Sequence, residues 1–154
     1  VKFKWLHPGA DAPRSLKRTN EASCVLRIEA AGGSALLAGD IEKGAEQALL
    51  RQGQLQRADV LLVPHHGSKS SSGAEFLARL QSRVAVATTG LGNRFGFPRP
   101  EIRQRYRDLG LALWSTDACG AIRVELAADG SMRTQSARRA RPAPWRWPPA
   151  DFCP

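Results

Sequence analysis

The sequence contains no long hydrophobic run, and this absence excludes a membrane-spanning helix within it. A helix needs about 20 consecutive apolar residues to cross a bilayer, whereas an apolar run such as residues 60–63 is only long enough for a buried strand. Residues 1–6 alternate between apolar and polar side chains, which is typical of a strand cut from something longer and not of a signal peptide. We therefore expect this chain to be soluble by itself and any membrane attachment to come from sequence outside it.

Cysteine is also scarce, and its spacing excludes the common cysteine motifs. The three cysteines are odd in number and lack any C-x-x-C spacing of the kind found in zinc and redox motifs. Cys24 lies in an alternating segment and is predicted to be a core residue of a strand, while a Cys24–Cys119 disulfide is left open. The glycine-rich segment 90–98 matches neither the dinucleotide-binding nor the P-loop spacing, so no nucleotide site of those kinds is predicted.

Positive charge, by contrast, is plentiful. The 154 residues carry a formal net charge of +9, and arginine outnumbers lysine. Two interpretations remain open: arginine spread over a solvated surface, or an electrostatic footprint for phosphate groups, which arginine contacts in bidentate fashion.

The apolar periodicity predicts an α/β layered fold, because strand patterns alternate with helix patterns. Helices are predicted over 42–52, 74–81 and 101–109, and strands over 1–6, 23–29, 34–37, 59–63, 84–88, 111–114 and 121–126. From residue 129 the composition turns to proline, arginine and tryptophan, which leaves little to join a core. We therefore predict a domain over residues 1–128 and a disordered basic tail over 129–154.

Ionisable side chains follow two of the predicted strands. Asp40 ends the segment Leu36–Asp40, and His65 and His66 end the segment Val60–Ser68. Carboxylate oxygen and imidazole nitrogen are the usual ligands of zinc and similar divalent ions, so the pair of strand ends suits a metal site. The alternative for Asp40 is that it only caps the following helix. The polar loop after His66 is either a linker or a phosphate contact made by Ser68 and Lys69.

These pieces carry a resemblance to a known family. The sequence resembles the second half of the metallo-β-lactamase-fold domain of the ComEC family of competence DNA-uptake proteins. The resemblance covers roughly residues 1–126 and rests on segments that occur in the family's order: Leu6–Pro8, Asn20–Leu26, Leu37–Glu42, Val63–Ser68, Gly92–Pro98 and Thr116–Gly120.

The resemblance implies one half of an αββα sandwich, a mixed sheet with covering helices, that binds two divalent ions, zinc or manganese, when complete. Asp40 would bridge the ions, His66 would complete the shell of the second, and His65 would orient a ligand or meet a phosphate; all three are the expected catalytic residues. Asn93 and Arg94 join Ser68 and Lys69 as expected substrate contacts.

Two departures from the family pattern limit this site. The family's His-x-His-x-Asp-His signature is absent, since His7, His65 and His66 are the only histidines. Phe97 stands where the family commonly has a histidine before proline. The first departure predicts a half-site in which at least one of the two ions lacks ligands, so that this fragment is inactive alone; whether the fragment binds any ion is left open. His7 is expected to open a turn with Pro8, the alternative being that it supplies a third imidazole. The second removes one auxiliary imidazole.

The function implied is that of a metal-dependent phosphodiesterase or nuclease that acts on or guides DNA, single-stranded DNA above all, during natural transformation. The alternative is a non-catalytic DNA-binding module attached to a membrane channel; a purely structural domain is a weaker third interpretation. The partners implied are the upstream half of the same domain and the membrane channel portion of a bacterial inner-membrane protein, with this domain on the outer, periplasmic face. In the tail, Arg138, Arg139, Arg141 and Trp145 are predicted to contact nucleic acid by charge and base stacking, the alternative being a disordered end.

Overall fold

The computed structural model describes residues 1–9, 20–140 and 153–154. Eight strands are present in this part of the chain: β1 Lys2–His7, β2 Val25–Ala30, β3 Gly33–Leu37, β4 Val60–Leu62, β5 Val84–Ala87, β6 Ala112–Ser115, β7 Ile122–Leu126 and β8 Met132–Ser136. The helices are α1 Lys43–Arg51, α2 Ala74–Leu80, α3 Pro100–Asp108, α4 Thr116–Cys119 and α5 Ala137–Ala140. Short 3-10 turns lie at Asn20–Ala22 and Pro64–Gly67.

A mixed six-stranded sheet organises the molecule. Its strand order is β1-β2-β3-β4-β5-β6, antiparallel between the first three strands and parallel from β3 to β6. The helices α1, α2 and α3 each connect two neighbouring parallel strands, which is the usual crossover connection of a parallel sheet. The predicted α/β class with a mixed sheet and covering helices is confirmed.

The two faces of the sheet are covered by different elements. On one face Leu36, Leu61 and Ala85 join the larger core cluster with the buried apolar side chains of the crossover helices, among them Leu49, Phe76 and Ile102. On the other face the alternate side chains belong to a second cluster, which contains Val84, Trp114, Val86 and residues of β7 and β8. Because side chains alternate across a strand, one short apolar run supplies both clusters.

The strands β7 and β8 form an antiparallel hairpin that contradicts part of the predicted tail. The boundary predicted at residues 128 and 129 falls inside this hairpin, and Met132–Ser136 is a strand where disorder is expected from composition. The strand escapes detection because Met132 is its only apolar residue, and Met132 packs against the second cluster. The helix Ala137–Ala140 follows directly.

The cysteine predictions are wrong. Cys119 pairs with Cys153, so the Cys24–Cys119 alternative does not hold. Cys24 is a free and exposed thiol and not a core residue, because it lies just before β2 and the inward alternation begins at Val25. The disulfide joins α4 to the chain end and lies within the second core cluster.

None of the helices within residues 1–9, 20–140 and 153–154 combines the length and the apolar content needed to cross a membrane.

Candidate functional site

Three consecutive parallel strands end at the same edge of the sheet, and polar residues follow each of them. Asp40 follows β3, the pair His65 and His66 follows β4, and Thr88 directly follows β5. Because parallel strands bring their carboxyl ends to one edge, residues far apart in sequence meet there on a rigid scaffold.

Asp40, His66 and Thr88 form a connected row at this edge. The His66 Nε2 atom lies 3.4 Å from Asp40 Oδ1, and both side chains are nearly half exposed. The other ring nitrogen, Nδ1, lies 3.1 Å from Thr88 Oγ1. A hydroxyl at Nδ1 holds the orientation of the ring and thereby aims Nε2 at the carboxylate.

The His65 ring lies beside a different acid, Glu42. Its Nδ1 atom lies 3.3 Å from Glu42 Oε1, yet this buried nitrogen makes no hydrogen bond of good geometry. The close approach is therefore an electrostatic contact, not an aligned hydrogen bond. The same Glu42 oxygen accepts hydrogen bonds from Ser70 Oγ at 3.0 Å and Asn20 Nδ2 at 3.4 Å.

Glu42 is a residue of the site that sequence reasoning did not single out. It stands two residues after Asp40 and was indistinguishable from the acidic first turn of α1, for which it is the residue before the first helical position. Its involvement depends on Asn20 and Ser70, which are 22 and 28 residues away in sequence.

The backbone that carries the histidines is strained. His65 and His66 have φ angles of 47° and 55°, in the left-handed region that non-glycine residues rarely occupy, and Gly67 follows with φ 84°. Such conformations cost on the order of 1–3 kcal/mol each and persist where neighbours hold them, typically at functional sites. Two backbone hydrogen bonds hold the turn here: His65 N donates to Gly39 O at 3.0 Å, and Arg99 N donates to Gly67 O at 2.9 Å.

A pocket of about 570 Å³ opens beside these residues. One end is polar and contains the strand-end groups, and the other end is formed by the loop after β5. The lining residues are Asp40, His65, His66, Thr88, Thr89, Gly90, Asn93, Phe95 and Phe97.

Phe97, which stands where the family resemblance predicts a histidine, lies in the pocket wall. Its ring meets the His65 ring edge-on, with centroids 5.8 Å apart. The side chain of Asn93 holds the Phe97 backbone at both groups: Asn93 Oδ1 accepts from Phe97 N at 2.8 Å, and Asn93 Nδ2 donates to Phe97 O at 2.9 Å. The Asn93 amide therefore braces the loop from within the pocket lining.

The other predicted substrate contacts lie outside the pocket lining. Ser68 is buried, and its hydroxyl lies 3.0 Å from Ser70 Oγ. Lys69 is exposed on the next position of the same loop. The Arg94 guanidinium lies 4.9 Å from the centroid of the Phe95 ring, which lines the pocket. Their contact with substrate stays a prediction.

The predicted nucleic-acid tail is only partly described. Arg138 Nη1 donates to Ala118 O at 3.1 Å, and Arg139 Nη2 donates to Cys153 O at 2.9 Å. Both guanidinium groups thus contact the chain's own carbonyls around the disulfide. Arg141 and Trp145 lie outside the described residues.

The fit of the site to a metal ion can be tested by the ligand geometry. Two ligand atoms at zinc distances and the tetrahedral angle lie about 3.3 Å apart, close to the 3.4 Å between Asp40 Oδ1 and His66 Nε2. No three His, Cys, Asp or Glu side chains converge on a common point within the described part of the chain. His7 supplies no third ligand here, because its Nε2 lies 2.7 Å from Glu21 O. The residues present fit two ligands of an ion and not a closed site.

Comparisons with known proteins find similarity between this chain and a segment of competence proteins. No family model matches the sequence. The chain is 38% identical over 122 residues to ComE operon protein 3 of Bacillus subtilis, 35% identical over 131 residues to competence protein ComA of Neisseria gonorrhoeae, and 34% identical over 126 residues to recombination protein 2 of Haemophilus influenzae. These matches cover 79%, 84% and 82% of this chain but only 15%, 18% and 16% of the relatives. The chain therefore spans less than a fifth of the length of the curated relatives that it matches.

Proposed function

The chain belongs to the ComEC family of competence proteins, and from this relationship we propose that it is one half of a metallo-β-lactamase-type hydrolase domain that acts on DNA. The reaction proposed is metal-dependent hydrolysis of a phosphodiester bond in single-stranded DNA during natural transformation. The observation that carries the proposal is the 3.4 Å separation of the Asp40 carboxylate and the His66 imidazole at the end of parallel strands.

The residues of this chain would have distinct roles at that site. When bound, a pair of divalent ions supplies an activated water and neutralises charge on the phosphoryl oxygens. Asp40 has two carboxylate oxygens and would contact both ions, and His66 would contact one through Nε2. Thr88 fixes the His66 ring through Nδ1. His65, held beside Glu42, would orient a neighbouring group or meet a phosphate oxygen.

The sheet supports the proposal that a second half of the domain packs against this one. Phe3 and Trp5 on β1 are 64% and 65% exposed, and β1 is the edge strand of the sheet. Their cross-strand partners Ile28 and Leu26 are apolar too. An uncovered apolar sheet face of this kind suits the packing of another layer. The remaining metal ligands would then come from that upstream half.

Cleavage of labelled single-stranded DNA tests the proposal. We expect no cleavage by this chain alone with Mn²⁺ or Zn²⁺, because a catalytic ion needs about three protein ligands and an open position for water. Joining the upstream half, in one polypeptide or in trans, should restore metal-dependent cleavage, and Asp40→Ala in that assembly should abolish it. Circular dichroism of each variant controls for folding. Metal-dependent cleavage by the chain alone that Asp40→Ala removes would show that this ligand count is wrong.

A non-catalytic DNA-binding module, attached to a membrane channel in an inner-membrane protein with this domain on the outer face, is the second candidate. It is favoured by the net charge of +9 and by Phe97 in place of an imidazole. Binding through phosphate contacts releases counterions, so affinity should fall steeply between about 50 and 200 mM salt. If the assembled domain binds DNA with this salt dependence and cleaves none of it with any metal, the binding module is the correct function.

A further inference from the structure

Two phenylalanines form a stacked aromatic pair on the apolar side of the pocket. The Phe95 and Phe97 rings have centroids 5.5 Å apart and planes inclined by only 20°. The Arg94 guanidinium lies 4.9 Å from the Phe95 centroid, and that of Arg99 lies 5.7 Å from the Phe97 centroid. Two parallel rings are thus flanked by two planar cations.

The outer ring of this pair has no role in the core. Phe95 is 51% exposed and lines the pocket, whereas a phenylalanine that served packing alone would be buried with most of its area. The inner ring, Phe97, contacts His65, which follows β4 next to His66. The aromatic pair is therefore continuous with the polar end of the pocket. The distance between ring centroids is 5.5 Å from Phe95 to Phe97, 5.8 Å from Phe97 to His65 and 6.4 Å from His65 to His66.

The loop that presents the rings is already ordered. Besides the two bonds of Asn93 to Phe97, the backbone closes two turns, from Asn93 N to Gly90 O at 3.2 Å and from Gly96 N to Asn93 O at 3.0 Å. A binding surface held in place in this way loses less conformational freedom when a ligand arrives.

We infer that Phe95, with Arg94 and Phe97, is a subsite that stacks a nucleobase of single-stranded DNA while the adjoining phosphodiester lies at the Asp40 and His66 end of the pocket. This inference rests on the proposed function, which supplies the phosphodiester. A base has two flat π-faces, and the ring face of phenylalanine and the plane of a guanidinium both stack on such a surface. The Arg94 guanidinium lies over the Phe95 ring in the free chain. Because the Arg94 side chain is exposed, it would move outward as the base enters, so that the base lies on the Phe95 ring with the guanidinium on its other face. In a duplex the neighbouring bases occupy those faces, so the subsite selects single strands.

The subsite is expected to be tolerant of base identity. Stacking needs only the π-face that all four bases share, and the Asn93 amide already bonds the Phe97 backbone. We therefore expect no recognition of base edges at this subsite. The subsite distinguishes a DNA strand that carries bases from an abasic strand.

Paired binding measurements on this chain test the subsite. The probes are a fluorescein-labelled dT 12-mer and an abasic 12-mer of the same charge, titrated at one fixed salt concentration and followed by anisotropy. Phe95→Ala should weaken binding of the dT strand by about 5- to 150-fold, the range measured when an aromatic residue that stacks a base is replaced by alanine, and should leave the abasic strand unchanged. Phe95→Trp should retain the affinity for dT.

The matched control is Leu91→Ala, which removes another exposed apolar side chain, 59% exposed, from the same loop. It should change neither titration. Equal affinity of the wild-type chain for dT and abasic strands, or equal losses for the two strands in Phe95→Ala, overturns the subsite. The proposed hydrolysis fails separately, if the assembled domain does not cleave DNA while the dT preference and its loss in Phe95→Ala are still observed.

Discussion

Replacing Gly67 with alanine tests whether the histidine turn and the Phe97 loop are locked together. A Cβ atom at Gly67 would lie 2.6 Å from Pro98 Cβ and 2.9 Å from Pro98 Cα, well inside van der Waals contact. Pro98 cannot move away freely, because it is buried and Arg99 N bonds to Gly67 O at 2.9 Å. The φ of 84° adds strain for any residue with a Cβ.

The cost has two parts. The left-handed backbone conformation costs an alanine about 1–2 kcal/mol, and forcing extra atoms into a packed site costs about 1–3 kcal/mol more. We expect Gly67→Ala to lower the free energy of unfolding by about 2–5 kcal/mol, a large share of the about 5–15 kcal/mol typical of a domain.

Gly53→Ala is the matched control for the backbone part. Gly53 also has a left-handed φ, 64°, but a Cβ there meets no atom within 4 Å, so only the cost of about 1–2 kcal/mol applies. Urea unfolding followed by circular dichroism measures both variants. Surface substitutions without special features usually change the unfolding free energy by no more than about 0.5 kcal/mol. If Gly67→Ala destabilises the chain by an amount within that range of the Gly53→Ala value, the tight contact between Gly67 and Pro98 is refuted.

Three further variants test other parts of the account. Burial raises the pKa of Glu46 above its ordinary value of 4.5, against the lowering effect of its backbone hydrogen bonds. The folded state therefore keeps this proton to a higher pH, and the unfolding free energy of the wild type relative to Glu46→Gln should fall as the pH rises through the raised pKa. Urea unfolding at pH 4.5 and 8 measures this difference, and a rise in it would contradict the prediction. Cys153→Ser removes a disulfide that closes 34 residues and should lower the unfolding free energy by about 3–4 kcal/mol, whereas Cys24→Ser, at an exposed free thiol, should not; equal effects would contradict the pairing. Thr88→Val removes the hydroxyl at His66 Nδ1 and should shift the ring nitrogen resonances of His66 in ¹⁵N NMR, and an unchanged spectrum would show that Thr88 does not orient the ring.

The predictable part of the fold is the part specified locally. Apolar runs such as Val60–Val63 identify the central strands because they supply both faces of the sheet, and the order of strands and helices follows from their alternation. The end of α3 is less well predicted: the helix predicted over 101–109 ends at Asp108, and Leu109 lies after the last helical residue and is 43% exposed.

The unpredictable part depends on contacts between distant segments. A glutamate such as Glu46 is expected on the solvent-facing surface of a helix, yet Glu46 is only 1% exposed. Its carboxylate accepts hydrogen bonds from Ser72 N at 2.6 Å and Gly73 N at 2.8 Å. A buried acid at the start of another helix satisfies backbone groups that would otherwise be unpaired. No pattern within α1 reports this partner.

The candidate site divides in the same way. Strand-end chemistry predicts the meeting of Asp40 with a histidine, and the distance of 3.4 Å to His66 agrees with it. The separate pairing of His65 with Glu42 depends on the left-handed turn at residues 65–67, and a histidine pair in sequence does not reveal which ring faces which acid.

Paramagnetic broadening by Mn²⁺ tests the central claim, that Asp40 and His66 together ligate a metal ion. The method detects weak binding, which a site of two ligands requires. In ¹H–¹⁵N spectra of this chain, we expect broadening to be strongest at the backbone amides of Asp40, His66 and Thr88 and to disappear in Asp40→Asn. Glu75→Gln, which alters an exposed acid on α2, should leave the pattern unchanged. Broadening centred elsewhere, or retained in Asp40→Asn, would contradict the claim.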